Sequence, residues 1–325
     1  MPAGILALGA YAPAKVLSNE DLASFMDTSD EWITTRTGIK RRHVAAENEF
    51  TYDLAEKAVL DLIARHGEAA LEGVDLVIVA TNTPDALFPN TAALIQHRFG
   101  LKAAGYDLLA GCPGWLYALA QAAGQVETGL ANRALVIGAE VLSKAVDWRD
   151  RSTAVLFGDA GGAAVVGRVP EGRGFRSFVL GADGSGAPAL HMKAMAARLP
   201  DGTRMNDRIF MNGREVFKFA VRVMDTATVE AIEKAGLKKE DIHLFVPHQA
   251  NRRIVDAARE RLGLDWAQVV VNLDEYGNTS TASIPLALKE ALDAGKIRPG
   301  DHLLFVSFGA GLTWAAAVHT WGEML

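Results

Sequence analysis

The segments VDLVIVATNTPDALFPNTAALIQHRFGL (residues 74–101) and DIHLFVPHQANRRIVDAARERLGL (residues 241–264) follow one plan. Each begins as a short apolar run rich in β-branched residues, breaks at a polar loop holding a proline, and resumes with apolar residues at helical spacing. One ends Arg98-Phe99-Gly100-Leu101 and the other Arg261-Leu262-Gly263-Leu264, which puts the two glycines 163 residues apart. A second pair keeps nearly that offset. AGCPGWLYAL (110–119) and YGNTSTASIPLAL (276–288) each pass from a glycine turn into a helix of small residues, with Cys112 and Asn278 separated by 166 positions. Matching offsets for separate elements predict an internal duplication, with halves spanning 1–170 and 171–325 that pack face to face. Chance likeness of two strand–helix units is the competing reading. Under duplication, Cys112 and Asn278 occupy equivalent corners and His248 ends the strand before the second, so the three converge on a pseudo-twofold axis.

Elsewhere, apolar runs alternate with amphipathic stretches, giving an α/β class with strands expected at 75–81, 134–140, 161–169, 243–248 and 302–308. With 325 residues, half of them hydrophobic, the chain has material for a large core. A formal net charge of −6 without long runs of like charge disfavours nucleic-acid binding. The single cysteine excludes an internal disulfide and a Cys-based zinc site, so no metal is expected. The start, MPAGILALGAYAPAK, lacks the basic and long apolar regions of a signal peptide, so the cytoplasm is the expected compartment. Residues 108–126 carry no charge, but the Gly-Cys-Pro-Gly break, the alanines, Gln121 and Gln125 favour a buried helix over a membrane span.

Pro113 suits the first position of that helix, since its missing N–H would have had no partner there. Cys112 then caps the amino end, where the helix dipole lowers a thiol pKa and favours a nucleophile. Taken alone, the residue is equally a small buried apolar group, as free cysteines usually are. In VPHQANRR, His248 falls at the carboxyl end of a strand, where α/β sheets present their sites. Asn278 adds a side-chain N–H donor in a glycine turn, and FVSFGAGLTW adds a loop of backbone amides from Phe308 to Gly311. Thiol, imidazole, carboxamide and amide loop together outweigh the bland reading of each. Separately, in DTSDEWITTR, Thr28 and Glu31 have capping-box spacing, and Trp32 and Arg36 lie four apart on one helix face, a pairing suited to an adenine ring and a phosphate.

Across nearly its whole length the chain resembles the β-ketoacyl-acyl carrier protein synthase III family of the thiolase superfamily. DTSDEWITTRTGIKRR, AGCPGWLYAL, AVLFGDAGGAAVV, NGREVFKFAV, VPHQANRRI, YGNTSTASIPLAL and SFGAGLTWAAA carry the resemblance, in that order. The resemblance implies a thiolase-like fold, two pseudo-repeated halves layered αβαβα, and a decarboxylating condensation of a short acyl-CoA with malonyl-acyl carrier protein. It implies that Cys112 carries the acyl group, that His248 and Asn278 donate to the decarboxylating thioester, and that the Cys112 amide and the Phe308-Gly309-Ala310-Gly311 loop form the oxyanion hole. It further implies CoA contacts from Thr28, Trp32, Arg36, Arg151, Gly213 and Asn251. Arg214 replaces a residue that is often asparagine in relatives, which puts a contact there in doubt. Carrier-protein docking falls to Gln249, Ala250, Asn251, Arg252, Arg253 and Lys218, and the acyl pocket to Trp115 and to Leu87 and Phe88, whose loop in the family can reach across a dimer interface. The family implies a homodimer and no cofactor, acyl-CoA being a substrate. Residues 187–207 read as a mobile loop or an interface piece. A specialised thiolase-fold synthase and a catalytically silent partner subunit are the alternative readings; the intact Cys112, His248 and Asn278 speak against the second.

Overall fold

The runs that read as strands lack polar–apolar alternation because both of their faces are covered. Arg133–Val141, for example, is buried at every position after Arg133. The computed structural model describes all 325 residues, Met1–Leu325. One sheet holds, in spatial order, Ala3–Tyr11, Asp159–Arg168, Arg133–Val141, Val74–Ala80 and Ala104–Leu108. Val74–Ala80 runs parallel to both of its neighbours, and the other pairs are antiparallel. The other sheet repeats this plan with Gly174–Ala182, Thr313–Thr320, His302–Gly309 and Leu244–Pro247. An isolated parallel bridge from Phe245 to Val269 stands where a fifth strand would lie.

Three helical layers alternate with the two sheets, giving the αβαβα order. Between the sheets lie Gly114–Thr128 and Ser283–Asp293, whose Leu116, Leu119, Ile284 and Leu288 share one core with strand residues Ile78, Val136, Val246 and Phe305. Small residues let this layer approach both sheets: a Cβ on Gly162 would stand 2.5 Å from Pro285. Thr51–His66 and Thr91–Arg98 cover the outer face of the first sheet, and Gly213–Lys234 and Arg252–Leu262 that of the second. The central Gly114–Thr128 helix is not buried all round, since Gln121 and Gly124 are exposed. No helix is long and apolar enough to cross a membrane.

The repeated Arg-x-Gly-Leu endings have a local cause. Gly100 and Gly263 adopt φ of 61° and 71°, and the Leu101 and Leu264 amides reach back to the Gln96 and Arg259 carbonyls at 3.0 and 3.1 Å. This is the glycine-terminated helix end that orphan carbonyls require, used once in each half.

Residues 187–207 form an exposed excursion whose base is closed by pairing Leu190 and His191 with Met211 and Phe210.

Candidate active site

The helix over Cys112 starts later than the sequence implies. Gly114 is its first residue and Pro113 its N-cap, preceded by a tight turn in which the Gly114 amide donates to the Gly111 carbonyl at 3.0 Å. Gly111 takes φ 66°, and a Cβ there would meet the Ala310 carbonyl at 2.5 Å, so only glycine lets the two loops touch. Cys112 therefore sits in the turn and not at the cap. The expected lowering of its pKa is not met either. Burial pushes the thiol up, with the Glu140 charge adding to the rise and hydrogen bonding from Ser280 and its own amide opposing it. The residue still keeps a partly exposed face, because it borders two cavities.

His248 and Asn278 line the larger of these cavities with Cys112, a space of about 700 Å3. His248 is buried, and its imidazole is held from one side: Nδ1 lies 2.7 Å from the Ser283 hydroxyl. With Ser283 donating to Nδ1, the proton sits on Nε2, the buried nitrogen that has no partner within the protein. Burial lowers the His248 pKa to about 3, so the ring is neutral near pH 7. Asn278 is fixed by its backbone, whose N–H donates to Leu156 at 2.8 Å and whose carbonyl accepts from Gly158 at 3.0 Å. Its Oδ1 accepts from the Ser280 amide at 2.9 Å, which leaves Nδ2 as the carboxamide group available to the cavity. Phe308 packs edge-on against His248, ring centroids 5.4 Å apart. Gly309 borders the thiol so closely that a Cβ there would lie 2.5 Å from the Cys112 nitrogen. Ala310 follows in the same loop, and Thr313 Oγ1 ties the two loops, its single proton shared between the Ala110 and Ala310 carbonyls at 2.8 Å each. Gly311 turns this loop at φ 142°.

From the thiol the cavity opens past Met211, Phe217 and Ile254 to a basic mouth of Arg36, Arg151, Arg214, Lys218 and Arg253. Trp32 is the platform there, with the Arg36 guanidinium 4.8 Å and that of Arg151 5.1 Å from its ring centroid. Gly213 and Asn251 line the same space, and the Asn251 side chain donates to the Arg36 carbonyl at 3.1 Å. Thr28 does not start the Asp30–Thr37 helix; Ser29 does, accepting from the Trp32 amide at 3.1 Å. Thr28 lies outside the cavity lining, its hydroxyl buried without a partner.

Residues 106–184 match the 3-oxoacyl-[acyl-carrier-protein] synthase III family and residues 232–321 match its C-terminal region. The chain is 53% identical to β-ketoacyl-[acyl-carrier-protein] synthase III of Deinococcus deserti, over 98% of this chain and 91% of that one. It is 54% identical to the protein of the same name from Symbiobacterium thermophilum, over 99% of each. The chain belongs to the 3-oxoacyl-[acyl-carrier-protein] synthase III family. A solved β-ketoacyl-[acyl carrier protein] synthase III from Thermus thermophilus superposes with a TM-score of 0.97 at 74% identity, covering 98% of this chain and 99% of that one.

Two expectations drawn from the synthase III resemblance need correction. Gln249 is buried, not offered to a carrier protein: its side-chain amide donates to the Pro247 and Val270 carbonyls at 2.8 and 3.0 Å and accepts from the Asn272 amide at 3.1 Å. Trp115 lines neither cavity at the thiol, because its helical position turns the ring into the core between the sheets. Leu87 and Phe88, expected to reach the pocket across a dimer interface, are 65% and 86% exposed in the single chain and do not line its own smaller cavity. That cavity, about 170 Å3 beside Cys112, is walled instead by Leu109, Leu142, Phe157, Leu190, Met192 and Ile209. Sequence reasoning passed over these residues, as it did Ser283 and Glu140; the only signal for Ser283 was its place five residues after Asn278, at the start of a helix.

Proposed function

We infer that the chain is an acyltransferase initiating fatty-acid synthesis, joining a short acyl-CoA to malonyl-acyl carrier protein with loss of CO2. The observation that carries this reading is one cavity that holds a thiol, a neutral imidazole and a carboxamide at its floor and an indole between two guanidinium groups at its mouth. In the first half-reaction the Cys112 sulfur attacks the acyl-CoA carbonyl, a C–S bond forms to the enzyme, and CoA departs as its thiol with the proton Cys112 gives up. The oxyanion faces the Cys112 amide and the Gly309–Ala310 loop. Pro113 has no N–H to contribute. In the second, malonyl-acyl carrier protein loses CO2, and the electron pair released becomes an enolate whose oxygen takes hydrogen bonds from His248 Nε2 and Asn278 Nδ2. Two neutral donors suit that charge, whereas a carboxylate there would repel it. The enolate carbon attacks the acyl-cysteine carbonyl, and the Cys112 thiolate leaves and regains a proton from solvent.

Acyl-CoA enters along Trp32, Arg36, Arg151, Gly213 and Asn251, and Arg214 joins them at the mouth. The acidic carrier protein docks on the exposed Arg252, Arg253, Arg214 and Lys218 around the same opening, with Ala250 beside them. Arg252 is held ready by stacking on Trp266, 3.7 Å from its ring centroid. No cofactor enters any of these steps. Residues 1–170 supply the nucleophile and 171–325 the two donors, which makes the halves functional units as well as repeats. A homodimer accords with the open edge strand Ala104–Leu108 and with Leu87, Phe88 and Leu109 left exposed near it. A cytoplasmic place of work accords with CoA and carrier-protein substrates.

The test supplies purified protein with labelled acetyl-CoA or isobutyryl-CoA and either malonyl-acyl carrier protein or malonyl-CoA. A 3-oxoacyl-carrier-protein product is expected. Exclusive use of malonyl-CoA would point instead to a specialised synthase.

A further inference from the structure

Glu140 ends the Arg133–Val141 strand and is completely buried, yet all of its hydrogen-bond partners are neutral donors. One oxygen accepts from the Asn82 amide at 3.1 Å and the Thr83 hydroxyl at 2.9 Å, with the Thr81 hydroxyl farther off at 3.4 Å. The other accepts from the Asn82 carboxamide at 2.6 Å and from the Thr281 and Ser280 hydroxyls at 3.0 and 3.1 Å. The carboxylate thus joins the end of the Val74–Ala80 strand to the loop that carries Asn278, across the boundary between the halves.

Ser280 is the one residue other than glycine with positive φ, at 50°. An L-residue reaches this left-handed region only at an energetic cost, and such residues persist where surrounding contacts hold them. The Ser280 hydroxyl donates to Glu140 at 3.1 Å and accepts at 3.2 Å from the Asn82 carboxamide, which Glu140 itself holds at 2.6 Å. In that conformation the Ser280 N–H meets Asn278 Oδ1 at 2.9 Å, which turns the carboxamide so that Nδ2 is left for the cavity.

We propose that Glu140 is a positioning residue for decarboxylation: it holds Ser280 left-handed, and Ser280 in turn sets the carboxamide of Asn278. The proposal rests on the assignment of Asn278 to the enolate. Glutamine at 140 keeps one acceptor oxygen but turns an NH2 group toward an Asn82 N–H, which cannot accept, and makes the neighbouring hydroxyls reverse their direction, so the clamp opens even though the shape is kept. Glycine at 280 adopts φ 50° without that penalty and retains the N–H that Asn278 needs.

The experiment measures CO2 release from malonyl-acyl carrier protein and, separately, acylation of Cys112 by acyl-CoA, in the full chain. Glu140→Gln is expected to slow decarboxylation by about a hundredfold, the scale of a misplaced catalytic group. Its KM for malonyl-acyl carrier protein should change far less, and its acylation rate should not fall, because losing the Glu140 charge removes one cause that holds the Cys112 thiol up. Adding Ser280→Gly should restore at least about tenfold of the loss, a recovery that a merely structural glutamate would not permit. If Glu140→Gln does not fold, Ser280→Ala and Ser280→Gly decide the matter alone: the alanine variant loses decarboxylation and the glycine variant keeps most of it. Wild-type decarboxylation in Glu140→Gln, or equal behaviour of the two Ser280 variants, would overturn the proposal. Absence of CO2 release by the wild-type protein would instead overturn the assigned function.

Discussion

Alanine at His248 or at Asn278 is expected to cut decarboxylation of malonyl-acyl carrier protein by about 10²–10³-fold, the usual cost of removing one preorganised donor. Labelled acyl-CoA should still transfer to Cys112, since the oxyanion of that step faces the Gly309–Ala310 loop and not these side chains. Ser283→Ala should fall between wild type and His248→Ala, because it leaves the Nε2 donor in place but frees the ring to adopt the other tautomer. The pH profile carries a further sign. Burial holds the His248 pKa down to about 3, so the ring stays neutral as pH falls from about 8 to 6, and decarboxylation should be flat there with respect to this group. An ordinary histidine would gain a proton within that window. Separate assays of CO2 release and of thioester formation check the split; equal loss of both in either alanine variant would mean the two donors serve the nucleophile instead.

Gly309→Ala is expected to abolish both half-reactions together, with a loss of at least about a hundredfold in each, because it moves the nucleophile itself. The added Cβ would stand 2.5 Å from the Cys112 nitrogen, 2.9 Å from its Cβ and 3.0 Å from Pro113, against backbone and a ring that have no rotamer to yield. The turn must shift, and with it the amide that faces the acyl oxyanion. Overpacking of this kind costs about 1–3 kcal/mol in stability, so a folded protein with a displaced thiol is the expected product. Circular dichroism establishes the fold, and the rates of Cys112 acylation and CO2 release establish the effect. Near wild-type acylation by this variant would remove the Gly309 loop from the site.

Much of the fold was legible because its signals are local. The two Arg-x-Gly-Leu helix ends and the five apolar runs chosen as strands are repeated in the structure within a residue or two. Within the two large sheets, four strands escaped notice for reasons of composition: Thr313–Thr320 contains three alanines in a row, which favour helix, and Ala104–Leu108 is short with Gly105 and Asp107 inside it. Ala3–Tyr11 mixes glycine and alanine, and Gly174–Ala182 carries Arg176, so neither presents the β-branched run that marks a strand. Cys112, His248 and Asn278, which line one cavity, stand out in the sequence because each lies in a glycine turn or at a strand end. What the sequence hid depends on distant partners. Gln249 reads as a surface residue until Val270 and Asn272 are brought beside it. Glu140 reads as the polar end of a strand until residues 81–83 and 280–281 close over it. Trp115 follows the nucleophile in sequence, yet its helical direction carries it away from the acyl cavity and into the core.

Intact-protein mass spectrometry after exposure to acetyl-CoA or isobutyryl-CoA, followed by peptide mapping, tests the central claim that Cys112 carries the acyl group. The gain of one acyl group per chain is expected, located on Cys112 and lost in Cys112→Ala. An adduct that persists in Cys112→Ala, or the absence of any adduct with either acyl-CoA, would contradict it.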